Sequence, residues 1–327
     1  MKDIGLVGVP YSGKSTLFTA LTKTGAAGGR ANQAVVPVPD PRLEVLAGLE
    51  RSRKIVSAQV RFVDVPGGTS AQGLAQLREV DALCVVLRAF GPDQDPARDL
   101  SEITTDLLVA DLAVMETALD NARRRLKGRG QDARSDVEIL EAAHAALSSE
   151  TLLRDAGMSD EATTALRGLS PLTLKPWVVV ANLEEGRELP AGIPGGAIGV
   201  WAELEAETSG MPEEEAAALL REFGVKEPGL PSVISACYRA LDLITFLTTG
   251  EDETRAWEVR RGAKAPEAAG VVHTDLERGF IRAEVIGFQD VVDAGGWDAA
   301  RARGLMRVEG KDYVVQEGDV LHVRFAV

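Results

Sequence analysis

The sequence predicts an α/β fold in which a mostly parallel sheet is interrupted by a helical hairpin and followed by a small β-rich module. An apolar run at residues 4–9 precedes a glycine-rich loop and a helical pattern, which is the order of a strand–loop–helix unit. Residues 98–170 carry no strand signal, and from about residue 249 short alternating segments and turn residues indicate strands. The predicted boundaries are 1–97 for the first part of the sheet domain, 98–175 for the hairpin, 176–248 for the second part of the sheet domain and 249–327 for the module.

The composition is that of an ordinary globular protein with an acidic balance. The chain has 327 residues, 45% of them hydrophobic, and a formal net charge of −14. This charge disfavours broad nucleic-acid binding, because the protein as a whole repels phosphate. No segment reaches the apolar length of a membrane span, no targeting peptide precedes the first strand, and Cys84 and Cys237 have no metal-site or disulfide spacing. We therefore expect a cytoplasmic monomer without a membrane partner.

The loop after the first predicted strand has the sequence of a phosphate-binding loop. Residues 8–16 read GVPYSGKST and fit the pattern G-x-x-x-x-G-K-[ST]. Backbone N–H groups and the following helix N-terminus bind phosphates in such a loop. Lys14 is expected to reach the β- and γ-phosphates and to be the catalytic residue, and the hydroxyl of Ser15 is expected to bind Mg²⁺. The candidate nucleotide-binding residues in the loop are Tyr11, Ser12, Gly13, Lys14, Ser15 and Thr16.

A second motif, RFVDVPG at residues 61–67, ends an extended apolar stretch. An aspartate at such a strand end holds Mg²⁺, usually through water, so Asp64 is a candidate metal residue. The N–H group of Gly67 is expected to contact the γ-phosphate. Alone, the motif could be an ordinary strand-to-turn connection.

A third motif, WVVVANLEE at residues 177–185, is expected to contact the base. Guanine-specific P-loop proteins carry N-K-x-D here, whereas this chain has Leu183 in place of lysine and Glu185 in place of aspartate. The longer side chain moves the carboxylate and weakens bidentate recognition of guanine, while the amide of Asn182 or the backbone could meet an adenine amino group. Such a change can switch a preference from GTP to ATP.

Further segments, taken with these motifs, resemble a known family. They are 36–43 (VPVPDPRL), 201–205 (WAELE), 250–257 (GEDETRAW), 264–266 (KAP), 270–280 (GVVHTDLERGF) and 313–319 (YVVQEGD). Along nearly its whole length the chain resembles the YchF-type Obg-like ATPases. This resemblance implies a P-loop NTPase G-domain, an inserted antiparallel α-helical hairpin and a C-terminal β-grasp (TGS) domain. It also implies hydrolysis of ATP in preference to GTP, association with ribosomes, and a position beside the base for Ala202 and Glu203.

The sequence departs from the family around the phosphate site. Tyr11 stands where the family has an asparagine, whose amide carbonyl helps to hold a potassium ion in related proteins. Gly68 replaces a large apolar residue and has no side chain to orient a water molecule. The segments 23–35 and 68–79 are shorter than in the family, and the first lacks the threonine that completes the Mg²⁺ shell. We expect nucleotide binding to be retained better than hydrolysis.

The inserted hairpin has an apolar seam typical of packed helices and a basic tip. The seam residues Leu108, Leu112, Met115, Leu119, Ala122 and Leu126 alternate steps of four and three. Two interpretations of the tip remain open, since its cations could complement a helix dipole or contact ribosomal RNA. The tip residues are Arg123, Arg124, Arg125, Lys127 and Arg129.

The sequence thus predicts a nucleotide-binding switch protein that binds ATP with Mg²⁺, hydrolyses it slowly and acts at the ribosome. No side chain stands out as a general base, so catalysis would depend on electrostatics and positioning. One alternative is a nucleotide-binding scaffold that does not hydrolyse its ligand. Another is a GTP-specific Obg-like GTPase.

Overall fold

The computed structural model describes residues 1–22, 32–126, 132–208, 211–225 and 227–326. The chain forms two compact units. The first comprises Met1–Val35 and Arg61–Cys237, and the second comprises Val36–Val60 and Tyr238–Val327. The second unit therefore includes Val36–Val60, which the predicted boundaries place in the sheet domain. No helix within the described ranges is both long and apolar enough to cross a membrane.

Strands and helices alternate in the first part of the chain and mix less regularly in the last part. The strands are β1 (Lys2–Val7), β2 (Asn32–Pro37), β3 (Ile55–Val56), β4 (Gln59–Asp64), β5 (Ala82–Ala89), β6 (Trp177–Leu183), β7 (Ile198–Val200), β8 (Leu243–Thr248), β9 (Thr254–Arg260), β10 (Phe280–Gly287), β11 (Arg307–Glu309) and β12 (Asp319–Phe325). The helices are α1 (Lys14–Thr22), α2 (Arg42–Glu50), α3 (Ala71–Leu77), α4 (Pro96–Leu126), α5 (Asp132–Ser148), α6 (Asp160–Arg167), α7 (Ala202–Glu207), α8 (Glu213–Glu222), α9 (Gly229–Ala240), α10 (Ala265–Val272), α11 (Thr274–Arg278), α12 (Phe288–Ala294) and α13 (Trp297–Ala302), with short 3₁₀ turns at Leu153–Asp155 and Leu172–Leu174.

The first sheet has the strand order β2-β4-β1-β5-β6-β7. The strands β1, β5, β6 and β7 pair in parallel, which confirms the predicted α/β class. Strand β5 is almost wholly apolar and buried, because helices cover both faces of a parallel sheet. It carries Cys84, which is fully buried, as expected of a small core residue. Strand β1 ends at Val7, so Val9, predicted to be in the strand, lies in the loop instead.

Helices α4 and α5 form the predicted hairpin. Glu116 lies beside His144, with 3.7 Å between carboxylate and ring nitrogen, and Arg123 donates to Glu141 at 2.7 Å. Residue numbers therefore increase along one helix as they decrease along the other, so the helices are antiparallel. The predicted seam packs against α5, although Leu126 at its end is 37% exposed.

One carboxylate, which the sequence analysis did not single out, is buried where the hairpin leaves the sheet. Asp111 in α4 is fully buried. It accepts hydrogen bonds from the backbone N–H groups of Leu172 and Thr173 at 3.0 and 2.7 Å and from the Thr173 hydroxyl at 2.8 Å. Arg78 donates to it at 2.7 Å. These partners satisfy a buried charge that would otherwise be costly, and they fix α4 to the segment that leads into β6.

The second unit is built on a mixed sheet with the strand order β11-β10-β12-β8-β9-β3. Strand β12 pairs antiparallel with β10 and parallel with β8, and β8 pairs antiparallel with β9. Alanines of α10, including Ala268 and Ala269, pack with Phe246, Val285 and Leu321 in the core on one face of this sheet. One helix thus packs on this face of the mixed sheet, and the β-grasp assignment of the module stays a prediction.

Candidate nucleotide-binding site

The lysine of the loop between β1 and α1 forms hydrogen bonds with the loop's own backbone. The ammonium group of Lys14 donates to the carbonyl oxygens of Gly8 and Val9 at 2.9 and 3.0 Å. Burial lowers the pKa of Lys14, and the nearby charge of Asp64 partly opposes that shift. The loop therefore holds a partly desolvated cation whose present partners are neutral carbonyl groups.

Two glycines of this loop leave no room for a side chain. Gly13 has φ +84°, and a Cβ atom there would lie 2.1 Å from Nδ2 of Asn182. At Gly8 a Cβ atom would lie 2.5 Å from the carbonyl oxygen of Val86. The motif glycines are thus required by the close approach of β5 and β6 to the loop.

Ser15 and Asp64 lie together, as a magnesium site in a P-loop protein requires. The Ser15 hydroxyl donates to Oδ2 of Asp64 at 2.9 Å. Asp64, the last residue of β4, is 6% exposed, whereas Ser15 is exposed at the first turn of α1. No group of three His, Cys, Asp or Glu residues within the described ranges could hold a metal by itself. A hydroxyl and a carboxylate fit Mg²⁺, which prefers oxygen ligands and usually takes the rest from phosphates and water.

The turn after β4 packs directly against the phosphate-binding loop. Gly67 and Gly68 have φ +87° and +52°. A Cβ atom on Gly68 would lie 3.0 Å from the carbonyl oxygen of Gly8, and one on Gly73 would lie 2.2 Å from the carbonyl oxygen of Gly68. The hydroxyl of Ser70 caps α3 by accepting from the Gly73 N–H at 3.2 Å. Glycine at position 68 is thus explained by its backbone conformation and by this close contact.

Tyr11 has an unusual backbone for a bulky residue. Its φ is +63°, and its side chain is 88% exposed. The left-handed region costs an L-residue about 1–2 kcal/mol. A tyrosine side chain has no amide carbonyl, so the expectation of lost potassium binding at this position stays a prediction.

Asn182 joins the phosphate loop to the start of α7. Its Nδ2 donates to the carbonyl oxygen of Ser12 at 3.3 Å, and its Oδ1 accepts from the N–H of Ala202 at 3.3 Å. Both ends of the amide are therefore used within the protein. The amide contact with adenine that the sequence suggested would have to compete with these bonds, which leaves the backbone as the more accessible partner.

A cavity of about 780 Å³ opens between the phosphate loop and the end of β6. Several sequence-predicted residues meet there, and Leu183 also packs its side chain with Ala89 and Ala181 in a small buried cluster. Ala202 is fully buried, and its N–H group donates a hydrogen bond to Oδ1 of Asn182. The cavity is lined by Gly13, Thr16, Phe90, Gly91, Asn182, Leu183, Glu184, Glu185, Arg187, Trp201, Glu203 and Leu204.

Five side chains of this cavity were not predicted as site residues: Phe90, Glu184, Arg187, Trp201 and Leu204. Phe90 directly follows β5, so the rule that carboxyl ends of parallel strands meet at one edge could have found it. Arg187 is ion-paired with Glu184 at 3.0 Å. The buried indole nitrogen of Trp201 has no hydrogen-bond partner. Trp201 directly follows β7, so the same rule could have found it, whereas Arg187 lies in an irregular segment and only the three-dimensional structure reveals its place at the cavity.

The described arginines of the basic hairpin tip do not line the cavity. Arg123 is paired with Glu141, whereas Arg124 and Arg125 are exposed on the last turn of α4. Lys127 and Arg129 lie outside the described residues.

Sequence comparisons identify the family. Residues 3–117 match a family described as 50S ribosome-binding GTPase, and residues 243–326 match the family YchF-GTPase_C, described as a protein of unknown function. The chain is 38% identical to the ribosome-binding ATPase YchF of Haemophilus influenzae over 358 aligned positions, which cover 99% of each protein. The chain belongs to the YchF family. A YchF relative from Bacillus subtilis, also named a ribosome-binding ATPase, is 37% identical over 361 positions and 99% of each chain.

Structural comparison agrees with this membership. The structure of the Schizosaccharomyces pombe YchF GTPase superposes with a TM-score of 0.88 at 31% identity, covering 99% of this chain and 97% of that one. The alignment with the H. influenzae YchF spans 358 positions, which is more than the 327 residues of this chain. The H. influenzae protein therefore carries segments that this chain lacks. The chain is thus a P-loop, nucleotide-binding YchF protein of reduced length.

Proposed function

We propose that this YchF protein binds ATP together with Mg²⁺, hydrolyses it slowly and associates with the ribosome. The observation that carries the proposal is the hydrogen bond between Ser15 and Asp64 beside the partly buried ammonium of Lys14. A hydroxyl, a carboxylate and a cation gathered at a phosphate-binding loop form the minimal set for a nucleotide–magnesium complex.

Lys14 and the loop backbone would bind the phosphates. The ammonium group now donates to the carbonyl oxygens of Gly8 and Val9, and a phosphate oxygen would replace at least one of these neutral acceptors. The exchange is favourable, because hydrogen bonds between charged partners are about twice as strong as neutral ones. Ser15 and Asp64 would hold Mg²⁺, which supplies further neutralisation of phosphate charge.

The cavity favours adenine over guanine. Guanine recognition in related proteins needs an aspartate at the position of Glu185, whereas the glutamate here is exposed at the mouth of the cavity. Leu183 is buried in an apolar cluster, so no lysine stem lies along the base. Adenine needs no carboxylate partner and can be recognised by backbone groups.

Hydrolysis would be slow, because the described turn after β4 offers no side chain at position 68 to orient a water molecule. Gly68 lies against the phosphate loop and has only hydrogen at its α-carbon. Rate acceleration would then depend on electrostatic stabilisation by Lys14 and the metal.

Association with the ribosome is supported by the relatives, which are named ribosome-binding ATPases. The exposed Arg124 and Arg125 at the hairpin tip are candidate contacts with ribosomal RNA. A second function, a scaffold that binds nucleotide without hydrolysing it, is favoured by the contact of the Gly68 turn with the loop.

Steady-state phosphate release separates the two functions. The wild-type protein and Lys14→Ala would be compared with ATP and Mg²⁺, and Lys264→Ala would serve as a control that removes an exposed lysine of the second unit. If Lys14→Ala abolishes phosphate release while the control variant releases phosphate as the wild type does, the ATPase function is supported. Phosphate release that is equal in all three proteins would support the scaffold.

A further inference from the structure

Trp201 lies between the nucleotide cavity and the core of the first unit. It directly follows β7 and lines the cavity together with Glu203 and Leu204. Its side chain also packs against two apolar clusters, one that contains Leu183 and one that contains Val225. The wall of the cavity on this side therefore includes an aromatic residue that the core supports.

The indole nitrogen of Trp201 is buried and has no hydrogen-bond partner among the described residues. An indole N–H can only donate, and a buried donor left without an acceptor costs free energy. Other indoles of the chain have acceptors. The N–H of Trp257 donates to the Thr248 hydroxyl at 2.9 Å, and that of Trp177 donates to a backbone carbonyl oxygen at 3.5 Å. Trp201 thus keeps an unused donor beside the cavity.

The backbone on both sides of this donor is held in place. The N–H of Ala202, the next residue, donates to Oδ1 of Asn182 at 3.3 Å. The carbonyl oxygen of Trp201 accepts from the N–H of Glu205 at 2.8 Å, and the buried Glu205 carboxylate accepts from the N–H of Gly229 at 3.0 Å. These bonds connect the start of α7 to β6 and to α9. A new direction for the indole N–H therefore requires a rotation of the side chain.

An uncharged acceptor on a bound base would complete the pairing of this N–H. Adenine has an acceptor at ring nitrogen N1, where guanine has an N–H donor. Both bases have acceptors at N3 and N7, so a single donor distinguishes them only at N1. A donor beside N1 binds adenine and faces another donor in guanine. Sites that pair with a polar edge strongly reject an analogue that lacks the matching group.

Two neighbouring donors of the cavity are already engaged within the protein. Nδ2 of Asn182 donates to the carbonyl oxygen of Ser12, and Arg187 is ion-paired with Glu184. Either of them would have to break an existing contact to reach the base. The indole N–H of Trp201 gives up no hydrogen bond when it meets an acceptor, so this donor is the better suited of the three to recognise adenine.

We propose that Trp201 is a specificity-determining residue of the nucleotide site, whose indole turns towards the cavity when ATP binds and donates its N–H to N1 of adenine. This role rests on the proposed function, because ATP must bind in the cavity for the contact to form. The contact favours ATP directly, whereas the residues at positions 183 and 185 only lack groups that recognise guanine.

Calorimetric titration of the full chain with Mg²⁺ tests the contact. ATP is compared with 1-deaza-ATP, in which a C–H group replaces N1. Trp201→Phe keeps an aromatic ring and removes the N–H. We expect the wild type to bind 1-deaza-ATP about tenfold more weakly than ATP, which corresponds to one lost hydrogen bond. Trp201→Phe should bind ATP about tenfold more weakly than the wild type does, and it should bind ATP and 1-deaza-ATP equally.

A control ligand, a control variant and GTP separate this contact from a general loss of affinity. Replacement of N7 in 7-deaza-ATP should have the same effect on the wild type and on Trp201→Phe. Trp177→Phe makes the same substitution in the same unit at the start of β6, whereas Leu183 of the cavity ends that strand. It should leave every affinity unchanged. GTP affinity should not fall in Trp201→Phe, so the preference for ATP decreases about tenfold.

Tryptophan fluorescence of the wild type tests the same contact without a variant, and it decides the proposal if circular dichroism shows that Trp201→Phe does not fold. At saturating concentrations, ATP should shift the emission maximum to longer wavelength, because the indole gains a hydrogen bond. The shift should be absent with 1-deaza-ATP. Equal shifts with the two nucleotides, or no shift with ATP, would overturn the proposal.

The titrations distinguish this role from the proposed function. If Trp201→Phe discriminates against 1-deaza-ATP as strongly as the wild type does, another group contacts N1 and the role of Trp201 alone is overturned. Equal losses of ATP and GTP affinity in this variant would mean that the ring only packs beside the base, which also overturns the role alone. If the wild type does not bind ATP, both the proposed function and the contact are overturned.

Discussion

The amide nitrogen of Asn182 donates a hydrogen bond to the carbonyl oxygen of Ser12, and thereby links the end of β6 to the phosphate-binding loop. The other end of the same amide accepts from the N–H of Ala202 at the start of α7. One buried side chain thus sets the spacing between the loop that would bind phosphates and the segment that would bind the base. Its position suggests a positioning role in place of a direct contact with the base.

Asn182→Ala should weaken nucleotide binding and modestly destabilise the protein. The change leaves the Ser12 carbonyl and the Ala202 N–H without their partners, and each lost buried hydrogen bond costs about 1 kcal/mol. We expect ATP affinity to fall by about tenfold in calorimetric titration, equivalent to about 1.4 kcal/mol. Gln289→Ala, a change at an exposed amide in α12, is the control and should bind ATP normally.

Gly68→Ala should impair the phosphate site through the backbone. The added methyl group would meet the carbonyl oxygen of Gly8 at 3.0 Å in a left-handed conformation that alanine disfavours. We expect a thermal midpoint lower by several degrees and weaker ATP binding. Gly48→Ala is a matched control, because a methyl group there meets nothing within 4 Å and the position lies inside α2. An unchanged thermal midpoint in Gly68→Ala would show that the turn moves freely away from the loop.

Asp111→Ala should destabilise the first unit severely. It leaves two backbone N–H groups, one hydroxyl and the guanidinium of Arg78 without their shared acceptor. Removing one partner of a buried ion pair typically lowers the free energy of unfolding by about 3–5 kcal/mol. Urea unfolding of this variant and of Asp120→Ala, which removes an exposed carboxylate from the same helix, measures the difference. Equal midpoints would contradict the structural role of Asp111.

ATP affinity should fall as the pH rises into the alkaline range. In the free protein, burial lowers the pKa of Lys14, and bound phosphates would raise it by stabilising the ammonium form. Binding is then linked to proton uptake above the free-protein pKa, so affinity declines as the pH rises through that value. Titrations between about pH 7 and about pH 10 in buffers of different ionisation enthalpy would detect the uptake. In Lys14→Ala the residual affinity should lose this dependence.

The phosphate site was predictable because its residues are local in sequence. The glycines, Lys14 and Ser15 lie within one turn of a loop and helix, and Asp64 ends the strand that the apolar pattern marks. The hydrogen bond between Ser15 and Asp64 is then possible because β4 lies next to β1 in the sheet. The base side was less predictable, since Arg187 reaches the cavity from the irregular segment between β6 and β7.

Long-range pairing accounts for what the sequence could not show. Val36–Val60 belongs to the second unit because β3 pairs with β9, about two hundred residues later in the chain, and no local pattern encodes such a pairing. Asp111 lies among seam residues of α4, where a heptad pattern predicts only packing, and its partners are about sixty residues away.

Calorimetric titration of the nucleotide-free protein with ATP and with GTP, each with Mg²⁺, tests the central claim most directly. We expect ATP to bind at least about tenfold more tightly than GTP, because the Leu183 and Glu185 positions lack the groups that recognise guanine. Omission of Mg²⁺ should weaken ATP binding in the wild type and have less effect in Ser15→Ala. Tighter binding of GTP, or no binding of either nucleotide, would contradict the assignment of this site.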